Sequence, residues 1–458
     1  VITRSTVQAQ FHSGRSRTGP LTWGQQDTWD GIHQWLPEVK PFFVLTRWLP
    51  VPLLLSLGDV LEQLGELMRR HESLRTLYHP TARGDATQEV LGAGEVDVAV
   101  FDRPADDPVD FTSIVNDCLQ RAGATAFDHD RELPVRFSVA LHEGIPVLVV
   151  LGVSHMAADH TGTELLVAEL AALLQARADG VPAPAAMPAL HPVDLVALEN
   201  SPDGQLRNVE AMRHLRQQLN RLRPGMTPLR ATPESPRFLR GVIESEALPV
   251  ALRAAARRCR TTTSVLVLSI TTALLRSFCP GPVYRLDIMQ SNRLAPELVN
   301  AVMTLNQSVR TAVDLHADSF DDLLRQSALA MTAAKRHARY DGRAAREVLR
   351  AVDLEPGCQV NDMWSTLPRA RTAETDLDRL AESTTITWPE ATEAEDMVFY
   401  LDTFGPAERM KLSLMADTAV VPREDIRGFL FAFERIAMTL ATQDVPLDRI
   451  AEFGASYR

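Results

Sequence analysis

Cysteine is scarce. The 458 residues hold four, Cys118, Cys259, Cys279 and Cys358, and none forms a Cys-x-x-Cys pair. That spacing supports neither a zinc site nor a dithiol redox motif, and four thiols are too few for a disulfide scaffold. Four reduced thiols in a reducing cytoplasm are the expectation. Long apolar runs are missing too. No stretch approaches the roughly 18 apolar residues a membrane-spanning helix needs. The first ten residues have no apolar core of the signal-peptide kind, and a start at Val1 instead of Met reads as a truncation. Positive charge is in deficit: 47 Lys+Arg against 59 Asp+Glu give a net charge of −12. Such a chain is a poor general binder of nucleic acid or anionic membrane. Apolar residues at 45% and charged residues at 23% exclude disorder, collagen-like repeats and a coiled-coil rod. No short tandem repeat is visible.

What is there reads as alternating helices and strands, enough for two or three domains or one two-lobed unit. Residues 1–19 read as an arm or first strand. Helices are expected over 23–33, 58–71, 112–122, 205–222, 249–258, 264–278, 320–337 and 422–442, and strands over 42–48, 72–78, 135–141, 146–152, 238–245, 283–290, 359–361, 397–401 and 410–416. Glu143-Gly144 between two apolar strands suggests a hairpin. Thr161-Gly-Thr-Glu164 has the hydroxyl-then-carboxylate spacing of a capping box, with Leu165, Leu166, Ala168, Leu170 and Leu173 as the apolar face behind it. Ile426, Phe429, Leu430, Phe433, Ile436 and Leu440 recur at helical spacing near the end. Two Pro-rich stretches, 180–203 and 224–236, are the breaks. The expected division is an N-terminal lobe over 1–185, a connection with a helix over 186–236 and a C-terminal lobe over 237–458.

The stretch richest in chemistry is Ser154-His155-Met156-Ala157-Ala158-Asp159-His160. It joins a buried strand to a capped helix, where the backbone is held at both ends. Histidine is the side chain suited to proton transfer near neutral pH. A carboxylate at a helix start is favoured by the helix dipole. Taken alone, His-x-x-x-Asp is a weak signal, and a lone histidine after a strand is more often a satisfied core residue.

The rest of the chain changes that balance. Arg70-His71-Glu72-Ser73-Leu74-Arg75-Thr76-Leu77-Tyr78 closely resembles the second core motif of the condensation domains of non-ribosomal peptide synthetases. Pro20-Leu-Thr-Trp23-Gly-Gln25-Gln-Asp27-Thr-Trp29 resembles their first motif. Ser154-His155-x-x-x-Asp159-His160 is similar to their His-His-x-x-x-Asp-Gly, Pro192-Val-Asp194 to the fourth motif, and Ser291-Asn292-Arg293 with Leu305-Asn306-Gln307 to a diverged fifth. The matches run in order from about residue 20 to 450. The sixth motif is faint around 337–341, and the seventh is not found.

The resemblance implies an α/β fold of two lobes like chloramphenicol acetyltransferase, set in a V with a tunnel between them. It implies transfer of an acyl group from a carrier protein's phosphopantetheine thioester to an amine, or less often a hydroxyl, giving an amide or ester. The chain itself would bind no cofactor and no metal. An acyl or peptidyl carrier protein and a small or carrier-bound acceptor would be its partners, with no nucleic acid or membrane involved. A monomer in the cytoplasm is expected, and both a free-standing enzyme and a piece of a megasynthetase stay open. His155 takes the place of the catalytic histidine, as base or positioner. Asp159 takes that of the structural aspartate, and Arg293 that of an arginine reaching it from the other lobe. Ser154, His160 and Asn361 are expected along the tunnel. Arg253, Arg257 and Arg258, with Arg260, form a basic cluster that could receive an acidic carrier, although a solvated helix face is the ordinary reading of such a run.

Two departures stand out: Ser154 replaces the first histidine of the pair, and His160 replaces the glycine. The rival with most support is a condensation-like domain without catalysis that recruits tailoring oxidases to a carrier-bound peptide. A transferase using coenzyme A thioesters is weaker, because Asp402-Thr-Phe404-Gly405-Pro only faintly echoes the second motif of plant-type enzymes. A hydrolase with Ser154 as nucleophile lacks the glycine its elbow needs, since Met156 stands there. A metal site of His155, Asp159 and His160 lacks a supporting carboxylate cluster, and an epimerase lacks its second-half motif.

Overall fold

The structure, a computed structural model, describes residues 3–34, 43–82, 84–103, 111–222, 231–279, 281–352, 357–367, 376–395 and 397–455. By contacts the chain forms two compact units. The first is 1–207 with 291–307 and 341–343; the second is 208–290 with 308–340 and 344–458.

The first unit runs β1 (Thr3–His12), β2 (Arg17–Pro20), α1 (Trp23–Gln34), β3 (Val44–Pro50), α2 (Leu57–Arg70), β4 (Thr76–Pro80), β5 (Ala86–Val90), β6 (Ala93–Arg103), α3 (Phe111–Gly123), β7 (Val135–His142), β8 (Ile145–Ser154), α4 (His160–Ala178) and α5 (Pro192–Glu199). Its main sheet has the order β1-β6-β7-β8-β3, with β6 and β7 parallel and the other neighbours antiparallel. A small antiparallel sheet orders β2-β5-β4. The β7–β8 hairpin turns on Glu143 (φ 52°) and Gly144 (φ 77°), both left-handed as a tight two-residue turn requires. β8 is buried from Leu148 to Ser154, and its apolar run carries the chain through the core to the candidate site. α2 begins with a reciprocal cap between Ser56 and Asp59 and buries Val60, Leu64, Leu67 and Met68. Each fully buried Leu or Met side chain contributes about 1.5–3 kcal/mol. A Cβ at Gly65 would collide with the Gln10 carbonyl, so glycine is what lets α2 lie on β1.

The second unit contains β9 (Phe238–Ser245), α7 (Ala247–Arg258), α8 (Thr263–Leu275) and β10 (Val283–Gln290). α6 (Pro202–Leu219) precedes them, with the division between units falling inside it, and α9 (Pro296–Val299) lies in the first unit's returning segment. The second unit resumes with β11 (Gln307–Asp314), α10 (Phe320–His337), α11 (Gly342–Arg350), β12 (Cys358–Asp362), α12 (Leu377–Ala381), β13 (Thr385–Thr392), β14 (Phe399–Phe404), β15 (Met410–Asp417), α13 (Arg423–Thr442) and α14 (Ile450–Ala455). One sheet orders β11-β10-β12-β14-β15-β9-β13. α8 and α13 pack in its core. All six apolar residues expected on the last long helix are buried there, from Ile426 to Leu440. The fold is mixed α/β, as expected.

Several local expectations need correction. Residues 1–19 hold two strands, β1 and β2. Residues 72–75 form a 3-10 turn, and the strand starts only at Thr76. α4 is capped by Asp159, not Thr161: the buried carboxylate reaches the Gly162 N–H two residues before the hydroxyl could act. Glu164 instead pairs with Arg47. Ala168 is exposed, and the buried face of α4 is Leu166, Leu170, Leu173 and Leu174. Strands β5, β6, β11 and β13 had no counterpart in the sequence reading. Phe42, and residues 224–230 of the second Pro-rich stretch, lie outside the described residues. All four cysteines are free thiols.

Candidate active site

Residues 154–160 leave the end of β8 and enter α4, and nearly every polar group along them is tied down. The Ser154 carbonyl accepts from the N–H groups of Ala157 (2.9 Å) and Ala158 (3.2 Å). His155 N–H donates to the Phe43 carbonyl at 2.7 Å, and the His155 carbonyl accepts from the Thr304 hydroxyl. The Met156 carbonyl accepts from the Tyr78 hydroxyl at 3.0 Å, and Gln25 lies 3.4 Å from the same hydroxyl. Burial raises the Tyr78 pKa, keeping it a neutral donor. The residues resembling the first two motifs therefore hold the loop from behind.

His155 is the ring this scaffold presents. Its Nδ1 is enclosed and, among the described residues, has no partner beyond its own main chain, which leaves Nε2 as the open nitrogen. The Phe43 ring meets it edge-on, centroids 6.3 Å apart. Burial pushes the imidazole pKa below its ordinary value, opposed by the nearby Asp159 charge, so the ring is a neutral base at neutral pH.

Asp159 is only 2% exposed. Its carboxylate accepts from Arg293 Nη1 (2.6 Å), Gly162 N–H (2.8 Å) and Leu305 N–H (3.1 Å). Burial would raise its pKa, but the charge and hydrogen bond of Arg293, with the two backbone donors, outweigh burial and hold it below the ordinary carboxylate value. Arg293 Nη2 donates to the carbonyls of Ala301 (3.1 Å) and Met303 (3.2 Å), and Nη1 also to that of Ser291 (3.2 Å), while its buried Nε has no partner among the described residues. The expected pairing of Asp159 with Arg293 is present. It is not a bridge between lobes: residues 291–307, read from sequence as part of the second lobe, belong to the first unit. A bidentate-capable cation with its donors spread over one carboxylate and three carbonyls staples this returning segment to the His155 loop.

Ser154 faces inward and is 1% exposed. Its Oγ accepts from Met156 N–H at 3.1 Å and shares a 2.7 Å hydrogen bond with His129 Nε2. Burial brings the His129 pKa down to about 4. A hydroxyl so enclosed is ill placed for nucleophilic attack. His160 opens α4, and Arg47 Nη2 donates to its Nδ1 at 2.9 Å. Arg47 Nε also donates to Glu164 at 2.6 Å.

The remaining expected residues lie in the second unit. Asn361 Nδ2 donates to Asp402 Oδ1 at 3.1 Å on the sheet face opposite the apolar core. Burial lifts the Asp402 carboxyl to about 6 in spite of Arg240, whose Nη1 donates to it at 3.0 Å. The basic cluster is largely spent on internal contacts. Arg253 lies over the Trp364 ring (4.9 Å) and donates to the Ala407 carbonyl. Arg258 donates to the Leu440 carbonyl and pairs with Asp444. Arg257 and Arg260 are exposed. Among the described residues, no group of three or more His, Cys, Asp or Glu could hold a metal ion, and no helix is long and apolar enough to cross a membrane.

Tyr78, His129, Thr304 and Arg47 were not singled out from sequence, and Glu164 was read only as part of a helix cap. Tyr78 was part of a quoted motif and could have been flagged as a buried hydroxyl needing a partner. His129, Thr304 and Arg47 sit in no quoted motif and meet the loop only through tertiary contact.

Solved structures of condensation domains share the fold of this chain. The first condensation domain of the calcium-dependent antibiotic synthetase, in complex with a substrate analogue, superposes with a TM-score of 0.67 at 17% identity, over 94% of this chain and 98% of that one. The starter condensation domain of rhizomide synthetase RzmA, as a variant in complex with C8-CoA, gives a TM-score of 0.70 at 13% identity, over 94% and 96%. The X-domain in complex with OxyB from teicoplanin biosynthesis gives 0.64 at 18% identity, over 94% and 93%. No family profile matches the chain. A probable nonribosomal peptide synthetase, CymA, of Salinispora arenicola is 30% identical over 164 residues, 35% of this chain. The match spans about 2% of that protein's length. The chain thus has the two-lobed condensation-domain fold.

Proposed function

We propose that the chain is a condensation enzyme that transfers an acyl group from a carrier-bound phosphopantetheine thioester to an amine or hydroxyl. The observation that carries this reading is the His155 loop. A neutral imidazole with one open nitrogen stands on a backbone fixed at both ends, and the Asp159–Arg293 pair beneath it is intact. His155 Nε2 takes the proton from the attacking amine or hydroxyl, or orients that nucleophile towards the thioester carbonyl. The nucleophile's lone pair forms the new C–N or C–O bond, the carbonyl oxygen carries the transient negative charge, and the thiolate departs on the carrier's arm. Asp159 does not touch substrate; it holds the loop. Asn361 lines the substrate path in this reading, and the exposed Arg257 and Arg260 are the part of the basic cluster available to an acidic carrier.

The likeness to the X-domain bound to OxyB and the loss of the first motif histidine favour a second reading, recruitment of an oxidase without catalysis. Intact-protein mass spectrometry of an acyl-loaded carrier, with amine and alcohol acceptors and with or without this protein, separates the two. Acyl release into product is expected. An unchanged loaded carrier, together with retention of a haem monooxygenase on the immobilised chain, would favour recruitment.

A further inference from the structure

Beside the candidate catalytic histidine stands a second imidazole whose orientation is dictated from outside its own helix. His160 is the first residue of α4, and Glu164 follows it by one turn on the same face. Both are reached by one side chain from β3, the strand that pairs with β8: Arg47 Nε donates to Glu164 at 2.6 Å, and Arg47 Nη2 to His160 Nδ1 at 2.9 Å. A third donor of Arg47 is spent on the Thr46 carbonyl at 2.8 Å.

This arrangement settles the ring's chemistry. A guanidinium can only donate, so His160 Nδ1 must accept, and the proton of the neutral ring sits on Nε2. Protonation of Nδ1 would break the Arg47 contact and set two cations side by side. Burial and the Arg47 charge both lower the His160 pKa, outweighing Glu164 and Asp159. Among the described residues Nε2 has no hydrogen-bond partner, and it is not enclosed. The group of three carries one positive charge on Arg47 and one negative charge on Glu164, so it presents no net charge. An unpaired arginine here would suit an anion, and an unpaired glutamate an ammonium. A neutral N–H held between them suits neither; it suits an uncharged oxygen.

We propose that His160 Nε2–H is a specificity-determining hydrogen-bond donor to a neutral oxygen, a carbonyl or hydroxyl, on the substrate portion next to the reacting centre, with Arg47 and Glu164 as its positioning residues. This rests on the acyl-transfer reading above. A substrate carrying that oxygen gains one hydrogen bond to a half-buried donor, and one lacking it leaves the donor unsatisfied. The difference for such a bond corresponds to roughly tenfold in affinity.

The test uses the full chain and needs no turnover. Two non-hydrolysable aminoacyl-pantetheine amides, one with a side-chain hydroxyl and one with a methyl in its place, are titrated by calorimetry into the wild type, His160→Gly and Arg47→Met. The wild type is expected to prefer the hydroxyl compound about tenfold, His160→Gly to bind both alike, and Arg47→Met to lose most of the preference. Nitrogen-15 spectra of histidine-labelled protein, with His160 assigned by its absence from His160→Gly, should show the Nε2–H tautomer in the wild type and a mixture in Arg47→Met. Equal affinities in the wild type, or an Nδ1–H tautomer at His160, would overturn the proposal while leaving acyl transfer standing. Failure of both compounds to bind would overturn it together with that reading.

Discussion

Each unit buries an aspartate against an arginine, and the two carboxyls move in opposite directions. Asp159 is held below the ordinary carboxylate range, whereas Asp402 rises to about 6. Burial pushes both up, so burial does not separate them. The donors do. Asp159 receives two backbone N–H groups and an arginine at 2.6 Å whose remaining hydrogen bonds go only to neutral carbonyls. Asp402 receives only the Asn361 amide and Arg240 at 3.0 Å, and Arg240 also serves Glu390, whose charge raises Asp402 further. An undivided cation with backbone dipoles makes a lock; a cation shared between two carboxylates leaves one of them able to titrate.

The comparison breaks most visibly at the lock. Asp159→Ala leaves Arg293 buried without its counter-charge, and loss of one partner of such a pair costs about 3–5 kcal/mol. The urea midpoint should fall markedly, and the double variant Asp159→Ala with Arg293→Met should recover part of the loss; an unchanged midpoint in the single variant would show that the pair holds nothing. The sign of its pH dependence follows from the depressed pKa. The Asp159 contribution is complete above about pH 4, the unfolded carboxylate value, and is lost as pH falls through the lower folded value.

Asp402 should behave in the opposite sense, with a smaller effect. Its raised folded pKa gives a contribution that is complete below about pH 4 and lost as pH rises through about 6. That amounts to about 2–3 kcal/mol. Asp402→Asn should flatten the stability profile between pH 4 and 6, read as the difference in urea midpoint from the wild type. An unaltered profile would mean that Asp402 is ionised throughout.

The smallest effect is expected at the loop's inward anchor. Ser154→Ala removes the partner of a buried His129 nitrogen, at about 1–2 kcal/mol. Thermal unfolding of Ser154→Ala, alone and with His129→Phe, should show the second change restoring part of the loss, since an apolar ring needs no partner there. Purely additive losses would deny the coupling.

The boundaries of β9, β10 and α10 could be read from sequence to the residue, because apolar periodicity and turn residues act locally. β6 was missed although Val96, Val98 and Val100 alternate with Asp97 and Ala99 in the pattern of a half-buried strand, and the three valines are buried; only its pairing with β1 and β7 depends on distant residues. The site divides in the same way. His155, Asp159 and Arg293 were legible because motif order placed them together. Arg293 was nonetheless assigned to the wrong body, since nothing local in 291–307 says which core that segment joins. The cap at Asp159 was read two residues late because the Thr161–Glu164 spacing imitates a capping box. His129 and Arg47 act on the loop through tertiary contact alone, and His160 could not be oriented until Arg47 was seen to reach it.

The central claim is that His155 handles the proton of the attacking group while the structure around it only holds it in place. Single-turnover product formation from an acyl-loaded carrier, compared between wild type and His155→Ala at matched folding, tests it most directly. The account predicts a fall of about 10²- to 10⁴-fold in rate, with melting temperature and carrier affinity little changed. Wild-type turnover that His155→Ala leaves untouched would contradict it.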